Sequence, residues 1–591
     1  MSKPFNLLST ALIASLGLSF IQPINNVSAQ SESIIRGDSL HYPEMARHGM
    51  SVSQHHLASK VGADIMAKGG NAIDAAVAVG FALAVVLPRA GNIGGGGFMI
   101  AHIAETGETV AIDYREMAPA SAFRDMYLDD KGEVDNNRAR FTRASSGVPG
   151  TVAGMAYALE KWGTMSMAEV LAPAIELAED GFAVSYEFSR IMASRQSRYS
   201  NIPTMMKYFY KPDGSAYEAG EVLVQKDLAK TLRAIANGGA DAFYKGEIAD
   251  LLVAEMQRGN GFITKQDMAN YKVREMKPVM GTYRGYQVAS MPPPSSGGVH
   301  VIQMLNTLEN FDVKSMGFGS ADHYHLLAES MKRAYADRSE HLGDPDFWPV
   351  PVSWLTSKEY GKQIARNISM EKATPSAEIK PGKPAAYESP DTTHYSVMDG
   401  MGNAVTNTYT LNFSYGSGIA VDGAGFLLNN EMDDFSAKPG AVNGMGLIGG
   451  DANAIRPGAR PLSSMTPTMV LKEGKPYLLT GSPGGGRIIN AVLQTIVNVI
   501  DHDMNIADAA NAPRIHQQWL PDVIFREQQI SPDTLAELTR RGQTIAPGTR
   551  VLGDVQLIMS AQGWIMGASD PRRPHGAAIG LCLKGRVGSC N

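Results

Sequence analysis

A segment of alternating polar and apolar residues follows a proline-rich stretch and restricts how the second half of the chain can fold. The proline-rich stretch, residues 374–391, reads TPSAEIKPGKPAAYESPD and predicts an exposed linker. The segment after it reads THYSVMDGMGNAVTNTYTLN and alternates on both sides of Asp399-Gly400, which predicts a β-hairpin. Thr392 is therefore expected at the end of a flexible linker and at the first position of a strand.

Hydrophobic periodicity predicts the main elements of the first half of the chain. Residues 57–87 carry apolar residues at helical spacing with a break at Gly69-Gly70-Asn71, which predicts two helices packed on a core. Residues 94–115 alternate around the turn at Thr106-Gly107 and predict a second β-hairpin.

The middle of the chain is predicted to be mainly helical scaffold. Residues 165–275 contain MAEVLAPAIELAEDG and VQKDLAKTLRAIANGG, in which the glycines are interpreted as C-caps. Residues 291–300, MPPPSSGGVH, predict a rigid proline turn, and the segments VIQMLNTLENF and HYHLLAESMKRAYADRSE after it predict helices.

Several classes of function are disfavoured by composition and missing motifs. The net charge of -6 and the absence of a long Lys/Arg run argue against a nucleic-acid partner. The glycine run at 94–97 lacks the GK[ST] ending of a phosphate loop and precedes a strand, so we interpret it as a close backbone approach. No HExxH or CxxC spacing occurs, and we expect no metal or organic cofactor.

The first 29 residues predict a cleaved secretory signal. They combine Lys3, an apolar stretch over 7–21 and a small-residue site at Val27-Ser28-Ala29. A membrane anchor is the alternative, but the apolar stretch is short and Pro23 follows it. We therefore expect a periplasmic or secreted protein with no membrane association after removal of the signal. An oxidising compartment would allow the two cysteines, Cys582 and Cys590, to pair, although two idle thiols remain the alternative.

Thr392 can act as a nucleophile only if a base accepts its proton. His394 would lie on the same face of the strand, but neighbours on one strand rarely point at each other. If the Asp391–Thr392 bond were cut, the new α-amine would have an unperturbed pKa of about 7.7 to 8.0, which suits a general base. Thr-Thr at the start of a strand is ordinarily only sheet structure, so these residues alone leave the question open.

Many motifs together resemble the γ-glutamyltranspeptidases, enzymes of the N-terminal nucleophile hydrolase class. They extend over roughly residues 45–575 and read PDTTHYSVMDGMGNAVTNTYTLN, LLNNEMDDFSAKPG, RPLSSMTPT, GSPGGGRII, AGNIGGGGFM, DYREMAPA, SGVPGTVAG, MPPPSSGGVH and ADRSEHLGDPDF. The resemblance implies an α+β fold, a four-layer αββα sandwich formed jointly by two autoprocessed subunits. It divides the chain into a signal peptide (1–29), a large subunit (30–391) and a small subunit (392–591). This single core replaces the three or four domains that the 591-residue length alone would allow.

The resemblance also implies a γ-glutamyl donor site and a role for each of its residues. Thr392 would be the nucleophile, Thr410 its hydroxyl partner, and Gly484 and Gly485 the oxyanion hole. The substrate-binding residues would be Arg115, Ser463 and Ser464 for the donor carboxylate and Asn412, Glu431 and Asp434 for its ammonium group.

The implied activity is the transfer of a γ-glutamyl group from glutathione or a related compound to water or to an amino acid or peptide. A cephalosporin acylase that removes a glutaryl group is one alternative, although its donor lacks the ammonium that Asp434 and Glu431 would bind. A catalytically silent secreted binding protein is another. Two segments depart from the family pattern: Met445 replaces a common aromatic residue in the lid loop of residues 439–450, and the chain after DPR at 570–572 has no functional interpretation.

Overall fold

The computed structural model describes residues 39–380, 392–438 and 449–591, together with residues 440, 441, 443, 444 and 447. The predicted signal peptide, the linker from residue 381 onward, the Asp391 side of the predicted cleavage site and Met445 lie outside the described residues. Two seven-stranded antiparallel sheets dominate the fold.

The first sheet carries the predicted nucleophile and mixes strands from both halves of the chain. In spatial order it contains β18 (Ala577–Gly580), β2 (Gly49–Ser53), β10 (Thr393–Asp399), β11 (Ala404–Thr410), β3 (Gly96–Ile103), β4 (Glu108–Tyr114) and β7 (Arg274–Met276). The second sheet contains β1 (Glu44–Ala46), β17 (Trp564–Ser569), β16 (Gln556–Ala561), β13 (Lys475–Thr480), β12 (Thr468–Lys472), β9 (Tyr286–Ser290) and β8 (Val279–Tyr283). Two small ladders pair β5 (Phe182–Ala183) with β6 (Val222–Leu223) and β14 (Ile515–His516) with β15 (Phe525–Arg526).

Helices cover the outer faces of both sheets. Those of the first half of the chain are α1 (His56–Ala67), α2 (Ala72–Val86), α3 (Asn136–Phe141), α4 (Thr151–Trp162), α5 (Met167–Glu179), α6 (Tyr186–Tyr199), α7 (Pro203–Phe209), α8 (Lys226–Tyr244), α9 (Glu247–Gln257) and α10 (Lys265–Asn270). The others are α11 (Gly297–Leu308), α12 (Val313–Met316), α13 (Ala321–His341), α14 (Val352–Leu355), α15 (Lys358–Arg366), α16 (Arg487–Ile500), α17 (Ile506–Asn511) and α18 (Pro532–Arg540).

The alternation along β3 separates two hydrophobic cores. Met99 and Ala101 point to one side, where they pack with α1, α2, α4, α5 and α8. Phe98 and Ile100 point to the other side, where they pack with the second sheet and with α11, α13 and α16 beyond it. The order of layers is therefore helix, sheet, sheet and helix, which confirms the predicted αββα sandwich.

Most predicted elements are present, and one expectation, the residue at which β10 begins, is wrong in detail. The predicted interruption between the first two helices is present. Helix α2 begins at Ala72, and its N-cap Asn71 forms a capping box with Asp74. The predicted glycine C-cap is present within α8: Gly239 has a φ of 61°, outside the helical range, so the helix that begins at Lys226 ends there and a second short helix continues to Tyr244. Strand β10 begins at Thr393, so Thr392 lies just before the strand.

No helix among the described residues is both long and apolar enough to cross a membrane.

The open question about the two cysteines has an answer in the structure. Cys582 and Cys590 form a disulfide, and the backbone N–H of Cys590 donates to the carbonyl of Met45 at 2.9 Å. The C-terminal tail thus lies along the first described residues of the chain.

Candidate functional site

Thr392 lies at the end of the first sheet, buried against the neighbouring strand. The pairing of Thr393 with Tyr409 in the β10–β11 ladder places Thr410 beside Thr392. Their hydroxyl oxygens are 3.5 Å apart, at the outer limit of a hydrogen bond. The backbone N–H of Asn412 donates to the Thr410 oxygen at 2.8 Å, which fixes that hydroxyl in place. The sequence therefore brings Thr392, Thr410 and Asn412 together through ordinary hairpin register.

His394 is not placed to act as a base for Thr392. Its ring is fully buried between the two sheets, and its Nδ1 lies 2.8 Å from the Thr408 hydroxyl. Burial lowers the pKa of His394 to about 3, which keeps the imidazole neutral. Gly481 packs directly on the ring, because a Cβ there would lie 2.3 Å from it. His394 is a packing and hydrogen-bonding residue, which was the favoured interpretation from the sequence.

Arg115 follows β4 and is completely buried. Its guanidinium binds Glu431 through Nη1 and Asp434 through Nη2, the latter at 2.6 Å from Oδ2. Its Nε donates to the carbonyl of Pro461 at 3.2 Å. The sequence assigned Arg115 to the donor carboxylate and the two acids to the donor ammonium, whereas the structure pairs the arginine directly with both acids.

A third acid completes the cluster and was missed as a site residue. Glu116 is buried behind Arg115, with its Oε2 3.4 Å from Nη1 of the guanidinium. Burial raises the pKa of Glu116 to about 7, and it raises the pKa of Glu431 well above the usual range, because the single positive charge of Arg115 compensates only in part. Among the residues that the structure describes, none is a hydrogen-bond partner of Oε1 of Glu116 or of Oε2 of Glu431. The sequence could have indicated Glu116, because it directly follows Arg115 in the DYREMAP motif.

We expect Glu116→Gln to flatten the dependence of stability on pH. The folded pKa of Glu116 is about 7 against an ordinary value of 4.5, so between these pH values the folded state binds more protons than the unfolded state. Stability therefore falls as pH rises through this window, by about 1 kcal/mol per pH unit for one such group. The variant carries a neutral amide at every pH and should lack that slope.

Unfolding midpoints of wild type and Glu116→Gln, measured in denaturant from pH 4.5 to pH 8, test this expectation. The slope with pH is the decisive quantity, because the substitution also changes absolute stability. Parallel profiles for the two proteins would show that Glu116 is ionised throughout.

Two serines lie on a turn that faces Arg115 from the second sheet's side. The Ser463 hydroxyl oxygen accepts from the backbone N–H of Met465 at 3.1 Å. The Ser464 hydroxyl oxygen accepts from Nη2 of Arg338 at 3.0 Å. Both serines line the same cavity as Arg115 and Thr392.

The glycine loop after β13 supplies backbone N–H groups at the start of a long helix. Gly484 and Gly485 have φ values of +135° and +58°, which favour glycine over residues with a Cβ. The loop ends at Gly486, the residue before α16, and the Tyr335 hydroxyl donates to the carbonyl of Gly486. Such a helix start favours developing negative charge.

One narrow cavity brings the predicted residues together. It is about 20 Å³ in volume, close to the room that one water molecule needs. Nine of the ten predicted site residues line it; Gly484 does not, although its neighbour does. Three apolar residues that the sequence did not indicate complete the lining: Leu447, Met465 and Ile488.

The predicted lid loop contacts the acid cluster. Within its described residues, Nδ2 of Asn443 donates to Oδ1 of Asp434 at 3.1 Å, and Leu447 lines the cavity. Because the cavity is small and Arg115 is already paired, a donor of the size of a γ-glutamyl group must displace these contacts on entry.

The site contains groups of three chemical kinds around one hydroxyl. A guanidinium with two serine hydroxyls suits a carboxylate, paired acids suit an ammonium group, and backbone N–H groups suit an oxyanion. Among the residues that the structure describes, no group of three or more His, Cys, Asp or Glu side chains could hold a metal ion.

Comparisons with known proteins agree with this geometry. The family model for gamma-glutamyltranspeptidase matches residues 58–580. The glutathione hydrolase proenzyme of Escherichia coli (strain K12) is 52% identical over 573 residues, which cover 97% of this chain and 98% of that protein.

Two solved structures extend the comparison to the fold. The cephalosporin acylase of Bacillus halodurans superposes with a TM-score of 0.81 at 27% identity and covers 93% of this chain and 99% of its own. The gamma-glutamyltranspeptidase of Helicobacter pylori superposes with a TM-score of 0.55 at 49% identity and covers 56% of this chain and 94% of its own. The chain therefore belongs to the gamma-glutamyltranspeptidase family.

Proposed function

We propose that this protein is an autoprocessed γ-glutamyltransferase and glutathione hydrolase. It cleaves the γ-glutamyl amide bond of glutathione and related compounds and passes the γ-glutamyl group to water, an amino acid or a dipeptide. The observation that carries the proposal is the ion cluster of buried Arg115, buried Glu431 and partly buried Asp434 in the same cavity as Thr392. The relatives described above, a glutathione hydrolase proenzyme and a gamma-glutamyltranspeptidase, support the same activity.

The ion cluster favours a zwitterionic donor. The α-carboxylate binds Arg115 and the hydroxyls of Ser463 and Ser464, while the α-ammonium binds Glu431 and Asp434. The internal ion pairs are thus exchanged for pairs with the donor, and no buried charge is left alone. A glutaryl donor brings only the carboxylate, so it would take Arg115 from the acids and leave them without a cation. This argument favours the transferase over the cephalosporin acylase as the function.

Thr392 carries the chemistry once the peptide bond before it has been hydrolysed. Its free α-amine accepts the proton of Oγ as Oγ attacks the γ-carbonyl of the donor. N–H groups of the Gly484-Gly485 loop stabilise the oxyanion, and Thr410 holds the hydroxyl. The amine then returns the proton to the leaving amine, cysteinylglycine when the donor is glutathione. Water or an acceptor amine attacks the resulting ester and releases Thr392.

The two halves of the precursor stay together after cleavage. Strand β10 begins directly after the proposed cleavage site and pairs with β2 of residues 30–391 on one side and with β11 of residues 392–591 on the other. Removing the bond before Thr392 leaves these ladders intact, so the large and small subunits form one core. Residues 1–29 direct the precursor to the periplasm or the exterior.

Intact mass and N-terminal sequencing of the purified protein test the proposal, together with kinetics on a γ-glutamyl anilide. We expect two chains, the smaller of which begins Thr-Thr-His-Tyr. With glycylglycine as acceptor, double-reciprocal plots against the anilide should give parallel lines, because the leaving amine departs before the acceptor reacts. A single uncut chain without activity would instead support a silent binding protein.

A further inference from the structure

A guanidinium reaches the carboxylate-binding serines from the outer helix layer. Arg338 lies in the last turns of α13 and is only 4% exposed. Its Nη2 donates to the Ser464 hydroxyl oxygen at 3.0 Å, and its Nε donates to the Ser296 hydroxyl oxygen at 2.9 Å. The side chain therefore joins α13, the proline turn and the serine turn in one contact.

The direction of these hydrogen bonds determines how Ser464 can act. A guanidinium donates and cannot accept, so the Ser464 oxygen is the acceptor and its hydrogen is directed elsewhere. Ser463 has the same arrangement, because its oxygen accepts from the backbone N–H of Met465. Within the described part of the chain, each of the two serine hydroxyl oxygens accepts a hydrogen bond. Each serine is thus set to donate its own hydrogen to an acceptor in the cavity, and a carboxylate is such an acceptor.

The backbone of the serine turn is held separately from Arg338. Ser296 donates through its backbone N–H and its hydroxyl to the carbonyl of Ser463, both at 2.8 Å. Ser295 donates to the carbonyl of Met465 at 2.6 Å. Gly297 allows this approach, because a Cβ there would lie 2.0 Å from the Thr466 hydroxyl oxygen. Loss of the Arg338 side chain therefore leaves the turn in place, but it removes the hydrogen bond that directs the hydrogen of the Ser464 hydroxyl toward the cavity.

We propose that Arg338 is a positioning residue for donor recognition, which orients the Ser464 hydroxyl as a hydrogen-bond donor to the α-carboxylate of the γ-glutamyl group. The inference rests on the proposed function. It also gives a role to two motifs that carried none, MPPPSSGGVH and ADRSEHLGDPDF, since Ser296 and Arg338 belong to them.

A double-mutant cycle on processed enzyme tests this proposal, with kcat and KM measured on a γ-glutamyl anilide. We expect Arg338→Met and Ser464→Ala each to lower kcat/KM roughly tenfold, mainly through KM. Ser464→Ala removes the hydrogen bond to the donor carboxylate, and Arg338→Met removes the group that orients the hydroxyl for that bond. Because both act through one hydroxyl, the double variant should be little worse than Ser464→Ala alone. Arg338→Lys retains a donor and should restore part of the loss.

A matched control lies on the same helix. Arg333 is also buried, but it binds Glu329, the carbonyl of Asn367 and Thr374, all away from the cavity. Arg333→Met should lower the melting temperature and leave KM near the wild-type value. This separates the loss of a buried arginine from the loss of the Ser464 contact.

The outcomes separate the inference from the proposed function. Wild-type enzyme without activity on the anilide would overturn the proposed function. An active wild type in which the effects of Arg338→Met and Ser464→Ala multiply would overturn the role of Arg338 and leave the function standing. If Arg338→Met yields no processed enzyme, the cycle is run with Arg338→Lys, which should raise KM less than Ser464→Ala does. Effects of these two substitutions that multiply, or a KM unchanged from wild type in Ser464→Ala, would overturn the inference equally.

Discussion

Replacing Thr392 by alanine is expected to give a single uncut chain with no γ-glutamyl transfer or hydrolysis. The substitution removes the hydroxyl that lies 3.5 Å from the Thr410 oxygen, in the cavity that Gly485 also lines. Without the nucleophile no ester forms, and the α-amine that would act as base is never released. Loss of the nucleophile and the base together should reduce the rate to the uncatalysed background, which is a fall of at least about 10⁴-fold by analogy with other nucleophilic enzymes.

Thr392→Ser is the matched control for this prediction. Serine keeps the hydroxyl and loses only the methyl group, so cleavage and activity should both persist at reduced rate. Intact mass shows the cleavage, and the anilide assay shows the activity. Residual activity in an uncut Thr392→Ala chain would mean that another group attacks the donor, and Thr392 would lose its role.

The sequence predicted the fold well where local pattern and layer packing coincide. The hairpins at 94–115 and around Asp399-Gly400 are present, since alternation and turn residues are local signals. The order of the strands within each sheet could not be predicted in this way. β18, from the end of the chain, pairs with β2 from its beginning, and such long-range pairing depends on tertiary packing rather than on any local pattern.

The site was predicted by residue identity, whereas its electrostatics needed the structure. The motifs pointed to Arg115, Glu431 and Asp434 but did not indicate that the arginine binds both acids directly. Glu116 was missed because an acid next to an arginine in sequence usually faces solvent, and only burial makes it a proton-binding group. Arg338 was missed because its partners lie 42 and 126 residues away.

Asp434→Asn is expected to lower kcat/KM for a γ-glutamyl anilide by about 100-fold or more. The residue supplies a negative charge that we assign to the donor ammonium, and truncating one partner of a buried charge pair typically costs about 2 to 5 kcal/mol. Asparagine is nearly isosteric and retains the carbonyl oxygen, so the change removes charge rather than volume. A glutaryl anilide differs from the γ-glutamyl anilide only in lacking the ammonium, so its kcat/KM should change far less.

Asp433→Asn provides a control one residue away. Asp433 binds Arg140 at 2.8 Å and the backbone N–H of Gly444 at 2.7 Å, and it does not line the cavity. Asp433→Asn should preserve the preference for the γ-glutamyl over the glutaryl donor. Asp434→Asn should reduce this preference by a factor close to the factor by which it lowers kcat/KM for the γ-glutamyl anilide. Equal losses on both donors in Asp434→Asn would show that the carboxylate supports the site generally, and the ammonium would then have to be bound elsewhere.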